Sequence, residues 1–155
     1  MRKIKVQMLT REGFAPYGKV LALDDIEPAG GNPATHMWYP QVSIVDRATS
    51  LNWMEIFPRE FTAQKFEAHD HTAENLIPMT GGMIVTCMPA GALDVDKLAA
   101  FYIPQGKGVS FDPGVWHFVP YPIGEPVKVA VIFANGTSSN DIYFDELPEE
   151  VGLEL

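Results

Sequence analysis

The sequence predicts an all-β protein, a sandwich or closed barrel of short strands with one or two brief helical turns. Thirteen prolines and thirteen glycines are spread along the 155 residues and cut the chain into short pieces, the punctuation expected of strands joined by tight turns. Between these breaks the apolar residues alternate with polar ones or form short solid runs, and no stretch holds a helical period for long.

Taken in order, Ile4, Val6 and Met8 alternate with Lys3, Lys5 and Gln7, which gives a first strand over 3–9. Thr10 is placed to cap a single helical turn through Phe14, stopped by Pro16 and Gly18. A strand over 19–23 leads into a loop dense in turn formers, 24–33. Strands are expected next over 37–39, 41–45, 51–57, 63–69, 75–79 and 82–88. After a brief helix at 94–98 come 99–103, 109–111, 115–119, 127–134 and 141–144. Apolar residues make up 46% of the chain and charged ones 20%, enough for one core, and a single domain over 1–155 is expected. No internal repeat or linker divides it.

The net charge of −9, with no basic stripe, argues against a nucleic-acid or anionic-membrane partner, because nothing is present to neutralise phosphates. No apolar run approaches the ~18 residues of a membrane span. The opening Met1–Val6 alternates charge and apolar side chains and has no hydrophobic signal core. The single cysteine, Cys87, sits in the apolar run 83–88 and reads as a small buried hydrophobe. A soluble, cytoplasmic protein is expected.

Three of the four histidines fall into a telling pattern. Glu67, His69 and His71 stand two apart, so on a strand they project from one face. Two imidazoles so placed are able to hold one ion from the same side. Glu74 follows across a turn, where its carboxylate is able to close the site, and His117 would come from a distant strand that a barrel brings opposite. The expected metal ligands are therefore His69, His71, Glu74 and His117. Nitrogen and oxygen donors without thiolate suit Ni(II), Mn(II), Zn(II), Fe(II) or Co(II). His36 stands alone and reads as a surface residue. Trp53, Phe101 and Trp116 are able to line a pocket but read first as core.

The two blocks, Glu67–Glu74 and Gly108–His117, resemble the paired motifs of the cupin superfamily, and imply its double-sheet (jelly-roll) β-barrel. Two residues, Thr72 and Ala73, separate His71 from Glu74, where the cupin motif has three or four. The second block, ending Pro113-Gly114-Val115-Trp116-His117, is one residue shorter than usual. Almost end to end, the chain is similar to the ureidoglycolate lyase family. The resemblance rests on Leu9 to Val20, on Glu67 with His69, on Ile77-Pro78-Met79 with Gly82, and above all on Val115-Trp116-His117. Asp96-Lys97, Phe101, Gly108-Val109, Gly136 and Asn140-Asp141 support it. The position of His71 is often apolar in that family, that of Glu74 is a glutamine, and the strand around Asn52–Phe57, here with Glu55, tends to carry an arginine.

The resemblance implies a carbon–nitrogen lyase of purine (allantoin) catabolism that cleaves ureidoglycolate, a small carboxylate, to glyoxylate and urea. It also implies a homodimer, for which N-terminal strands beyond a minimal barrel would offer edges. Glu67 is then the first candidate for the catalytic base, with Glu74 second if it is not a ligand. Two rivals stand beside this reading. One is another metal-dependent cupin enzyme, an isomerase, a decarboxylase or an Fe(II) dioxygenase. The other is a non-catalytic cupin that binds a small molecule.

Overall fold

The computed structural model describes residues 1–155. The first strand, β1 (Arg2–Met8), is followed by the short helix α1 (Arg11–Phe14) and by β2 (Gly18–Leu21). Thr10 caps α1, its hydroxyl accepting the Gly13 N–H. A small hairpin, β3 (Gly30–Asn32) and β4 (His36–Trp38), precedes β5 (Thr49–Ile56), β6 (Thr62–Ala68), β7 (Glu74–Pro78) and β8 (Met83–Met88). One 3-10 turn (Val95–Lys97) leads to β9 (Ala99–Ile103), β10 (Gly108–Phe111), β11 (Trp116–His117) and β12 (Tyr121–Pro122). The chain finishes with β13 (Val127–Ala134), the one-turn helix α2 (Thr137–Asn140) and β14 (Tyr143–Glu154).

Two main sheets result, one in the order β11-β6-β14-β1-β9-β8-β12 and one in the order β2-β10-β7-β13-β5. An additional β11–β8 pairing closes six strands of the first sheet into a ring. This is the expected double-sheet barrel, with one difference. The ring is mixed, because β1 runs parallel to both of its neighbours, β14 and β9. β1 pairs with β14 through Arg2–Lys5 and with β9 through Val6–Met8; β2 and β5 are the edges of the second sheet.

Alternation along the shared strands feeds two cores. Met83, Val85 and Cys87 of β8 join Phe101, Leu76, Val109, Phe111 and Val129 between the sheets. The next residues over, Ile84 and Met88, join Phe66, Ala68, Trp116 and Val151 in the cluster supplied by the ring's own strands. That is why all six residues of β8 are buried. Each large side chain so buried contributes about 1.5–3 kcal/mol. Gly18, at φ +150°, lies so close to the Ser110 carbonyl that a Cβ there would collide with it, so glycine is what lets β2 pair with β10.

Three local expectations differ from the fold. Residues 41–45 form no strand, because Gln41 after Pro40 takes φ +57° and turns the chain. The strand expected over 141–144 begins at Tyr143 and runs to Glu154. A register shift between Glu146 and Val151 interrupts its pairing with β6 and accommodates Pro148 in a central strand. Trp53 is 67% exposed on β5 and lines neither core.

Candidate metal centre

β6 sorts its side chains by the alternation the sequence displays. Phe66 and Ala68 enter the ring's core, while Lys65, Glu67 and His69 occupy the opposite face. The Glu67 position pairs directly with His117 on β11 and with Phe144 on β14, so these three make one row across the sheet. Glu74, the first residue of β7, faces them from the other sheet. One ligand atom from each of Glu67, His69, Glu74 and His117 lies within 4.8 Å of all the others.

His71, expected as a ligand, is not brought into this cluster. Strand β6 ends at Ala68, and the chain then bends because the Asp141 carboxylate accepts both the Asp70 and His71 backbone N–H groups, each at 2.9 Å. The alternation that would carry His71 to the site stops there, and its side chain is exposed. Asp141 is the residue that sequence reasoning passed over. It follows α2, which the left-handed Gly136 (φ +86°) introduces after β13, and its place in the family resemblance was the only signal for it. Its own carbonyl meets Nδ1 of His69 at 2.7 Å.

The imidazole orientations follow from these backbone contacts. A carbonyl only accepts, so Nδ1 of His69 donates to Asp141, and Nδ1 of His117 donates to the Val115 carbonyl at 2.9 Å. In the neutral tautomer both Nε2 lone pairs therefore point into the cluster. His117 is stacked on Phe111, with ring centroids 4.5 Å apart and planes 10° apart. His69 meets the edge of Phe133, so neither ring is free to turn away.

Facing those lone pairs are more acceptors. Nε2 of His69 is 3.1 Å from Glu74 Oε2, Nε2 of His117 is in close contact with the same oxygen, and Glu67 Oε1 is 3.8 Å from Nε2 of His117. The His117–Glu74 contact is close yet not aligned as a hydrogen bond, and Nε2 of His117 has no hydrogen-bond partner. Two neutral imidazoles and two carboxylates repel one another, so the arrangement demands cations, either protons or a metal ion. Burial pushes the Glu74 carboxyl up, but the charge and close contact of His117, with the charge and hydrogen bond of His69, outweigh it and hold it at about 2. Burial pushes both histidines down, and Glu74 more than reverses this, so each ends above its ordinary value. For Glu67, burial is the largest influence and raises it. The set, two nitrogens with Nδ1 pinned by carbonyls plus carboxylate oxygens, fits a divalent transition metal. Glu67, with 18% of its side chain exposed against 3% for each histidine and 8% for Glu74, is the member nearest solvent.

A double-sheet barrel with two imidazoles and two carboxylates converging inside it is a cupin-type fold carrying a site fit for a metal ion. A backbone comparison agrees on the fold: a dTDP sugar isomerase from Desulfovibrio desulfuricans superposes with a TM-score of 0.54 over 86% of each chain, at 18% identity. The chain belongs to the ureidoglycolate lyase family, whose profile it matches over residues 1–154. A ureidoglycolate lyase of Burkholderia mallei is 29% identical, over 99% of this chain and 94% of its own. One from Pseudomonas syringae pv. tomato is 26% identical over 94% and 92%.

Proposed function

We propose that the protein cleaves ureidoglycolate to glyoxylate and urea, with a divalent metal ion held by His69, Glu74 and His117 and with Glu67 as the base. The observation that carries this reading is the buried convergence of His69, Glu74 and His117 with Glu67, both Nε2 atoms turned toward the carboxylates. Family membership supports the substrate. The metal, when bound, supplies a Lewis acid that makes the substrate hydroxyl more acidic.

The remaining work falls to the protein. Glu67 sits at the open side of the cluster and, raised by burial, is a better proton acceptor than an exposed carboxylate. It takes the hydroxyl proton, the oxygen's electrons form the glyoxylate C=O, and the C–N bond breaks toward nitrogen. Hydroxyl and nitrogen sit on the same carbon, so Glu67 returns the proton to the departing urea. No electron acceptor is required. Phe111 and Phe133 keep the imidazoles in place and water away from their inner side.

Elemental analysis of the purified protein, combined with an assay of glyoxylate release before and after chelation, tests the reading. Activity indifferent to chelation, or no glyoxylate from ureidoglycolate, would end it. A pH series adds a sign. The raised histidines stabilise the metal-free protein below the ordinary imidazole range near ~6.5, and that contribution is lost as pH rises through their raised values. Metal binding needs the same nitrogens unprotonated. The Tm difference between loaded and stripped protein is therefore expected to widen with rising pH, read by calorimetry; a constant difference would contradict the assignment of ligands.

A homodimer is part of the proposal. It is supported by edge strand β5, which presents unpaired backbone groups beside exposed Leu51 and Trp53. Light scattering should give twice the 17.1 kDa chain mass, and a monomer at all concentrations would refute it. No helix is long and apolar enough to cross a membrane.

A further inference from the structure

We propose that Lys65 grips the carboxylate of the substrate at the mouth of the site and so sets its preference for small carboxylates. This rests on the reading above that the substrate is a small carboxylate.

The row across the first sheet places Glu67 between His117 and Phe144. Lys65 is two residues back on the same face of β6, opposite Glu146. Its ammonium leans toward the Glu67 row: Nζ lies 4.7 Å from the centroid of Phe144 and 5.8 Å from that of Phe118, the residue after His117. Two rings flanking the row thus hold a cation at the open side of the cluster. No carboxylate lies within 4 Å of it as a partner, in contrast to Arg2, Lys3, Lys97 and Lys107, which are paired with Asp96, Glu154, Asp94 and Asp24. Arg11 and Arg59 spend their guanidinium groups on backbone carbonyls. The Lys65 charge also acts on Glu67, lowering its carboxyl against the effect of burial.

Charge balance gives this cation a task. Glu67 and Glu74 together with one divalent ion sum to zero, so a substrate carboxylate brings an uncompensated negative charge. An ammonium beside Glu67, exposed and held by rings rather than by a counter-ion, restores neutrality when substrate enters.

The test pairs kinetics with direct binding. For Lys65→Met, which keeps the stem and removes the charge, KM for ureidoglycolate should rise about 10- to 100-fold with kcat changed far less, and Lys65→Arg should recover much of the loss. Calorimetric titration with glycolate and with its neutral counterpart glycolamide gives a readout independent of turnover: Lys65→Met should weaken glycolate and leave glycolamide unchanged. If the wild-type protein cleaves ureidoglycolate and Lys65→Met keeps both its KM and its glycolate affinity, the inference falls and the lyase reading stands. If glycolate binding depends on Lys65 but no ureidoglycolate is cleaved, the lyase reading falls and the carboxylate grip stands.

Discussion

His117→Ala is expected to empty the metal site, lowering metal affinity by more than about 100-fold, beyond the 10–100-fold typical of losing an outer-shell partner, and glyoxylate release should fall with it. The imidazole supplies an inward Nε2 that no neighbouring side chain is able to replace, because Val115 contributes only its carbonyl and Phe111 only a ring face. The change also deprives the buried Glu74 of the charge that does most to keep it ionised, so part of that carboxylate population takes up a proton and ceases to be a ligand. His71→Ala is the matching control. Its side chain is exposed and outside the cluster, so metal content and turnover should stay near wild type. Elemental analysis of the two variants decides the matter: full metal in His117→Ala would falsify the site, and metal lost from His71→Ala would put His71 back among the ligands.

Glu67→Gln should separate binding from chemistry. Glutamine fills the same space and still offers an oxygen, yet it takes no proton at neutral pH. Metal content should be retained while kcat drops about 100-fold or more, the range expected when a general base is removed. Glu67 is the best placed of the four for this role, since it is the most exposed member of the cluster and stands farther from His117 Nε2 than Glu74 does. If the variant purifies without metal, Glu67 is a fourth ligand and the base lies elsewhere.

Much of this was legible in the residues, and the failures share a cause. β1 declares itself by alternation, and β8 and β13 by short, nearly solid apolar runs, because both signals are local to the strand. The end of β6 is decided instead by Asp141, seventy residues away in sequence, whose carboxylate captures the Asp70 and His71 amides; nothing near His71 announces that. Glu67 and His69 are legible from their two-residue spacing on one strand face, and Glu74 and His117 from the spacing of the two blocks; the same alternation points to His71, which the bend after Ala68 leaves outside the cluster. The full length of β14 is not legible, because Leu147-Pro148-Glu149-Glu150 has no strand period, and the register shift there is accommodated by pairing with β6 and β1 rather than by the segment itself. The direction of β1 is likewise a long-range property, set by which strands flank it.

That placement of β1 shapes the order in which the protein is made. β1 pairs through Arg2–Lys5 with β14 and through Val6–Met8 with β9, and β14 consists of residues 143–154. The ring therefore stays open until β14 has been made, with Ile4 waiting for Leu153. Assembly is governed by closure between the two ends of the chain, a topology that slows folding and leaves a transient apolar edge for chaperones to shield. A nascent chain stalled before codon 143 should stay protease-sensitive at its N-terminal strand, however well its second sheet has formed.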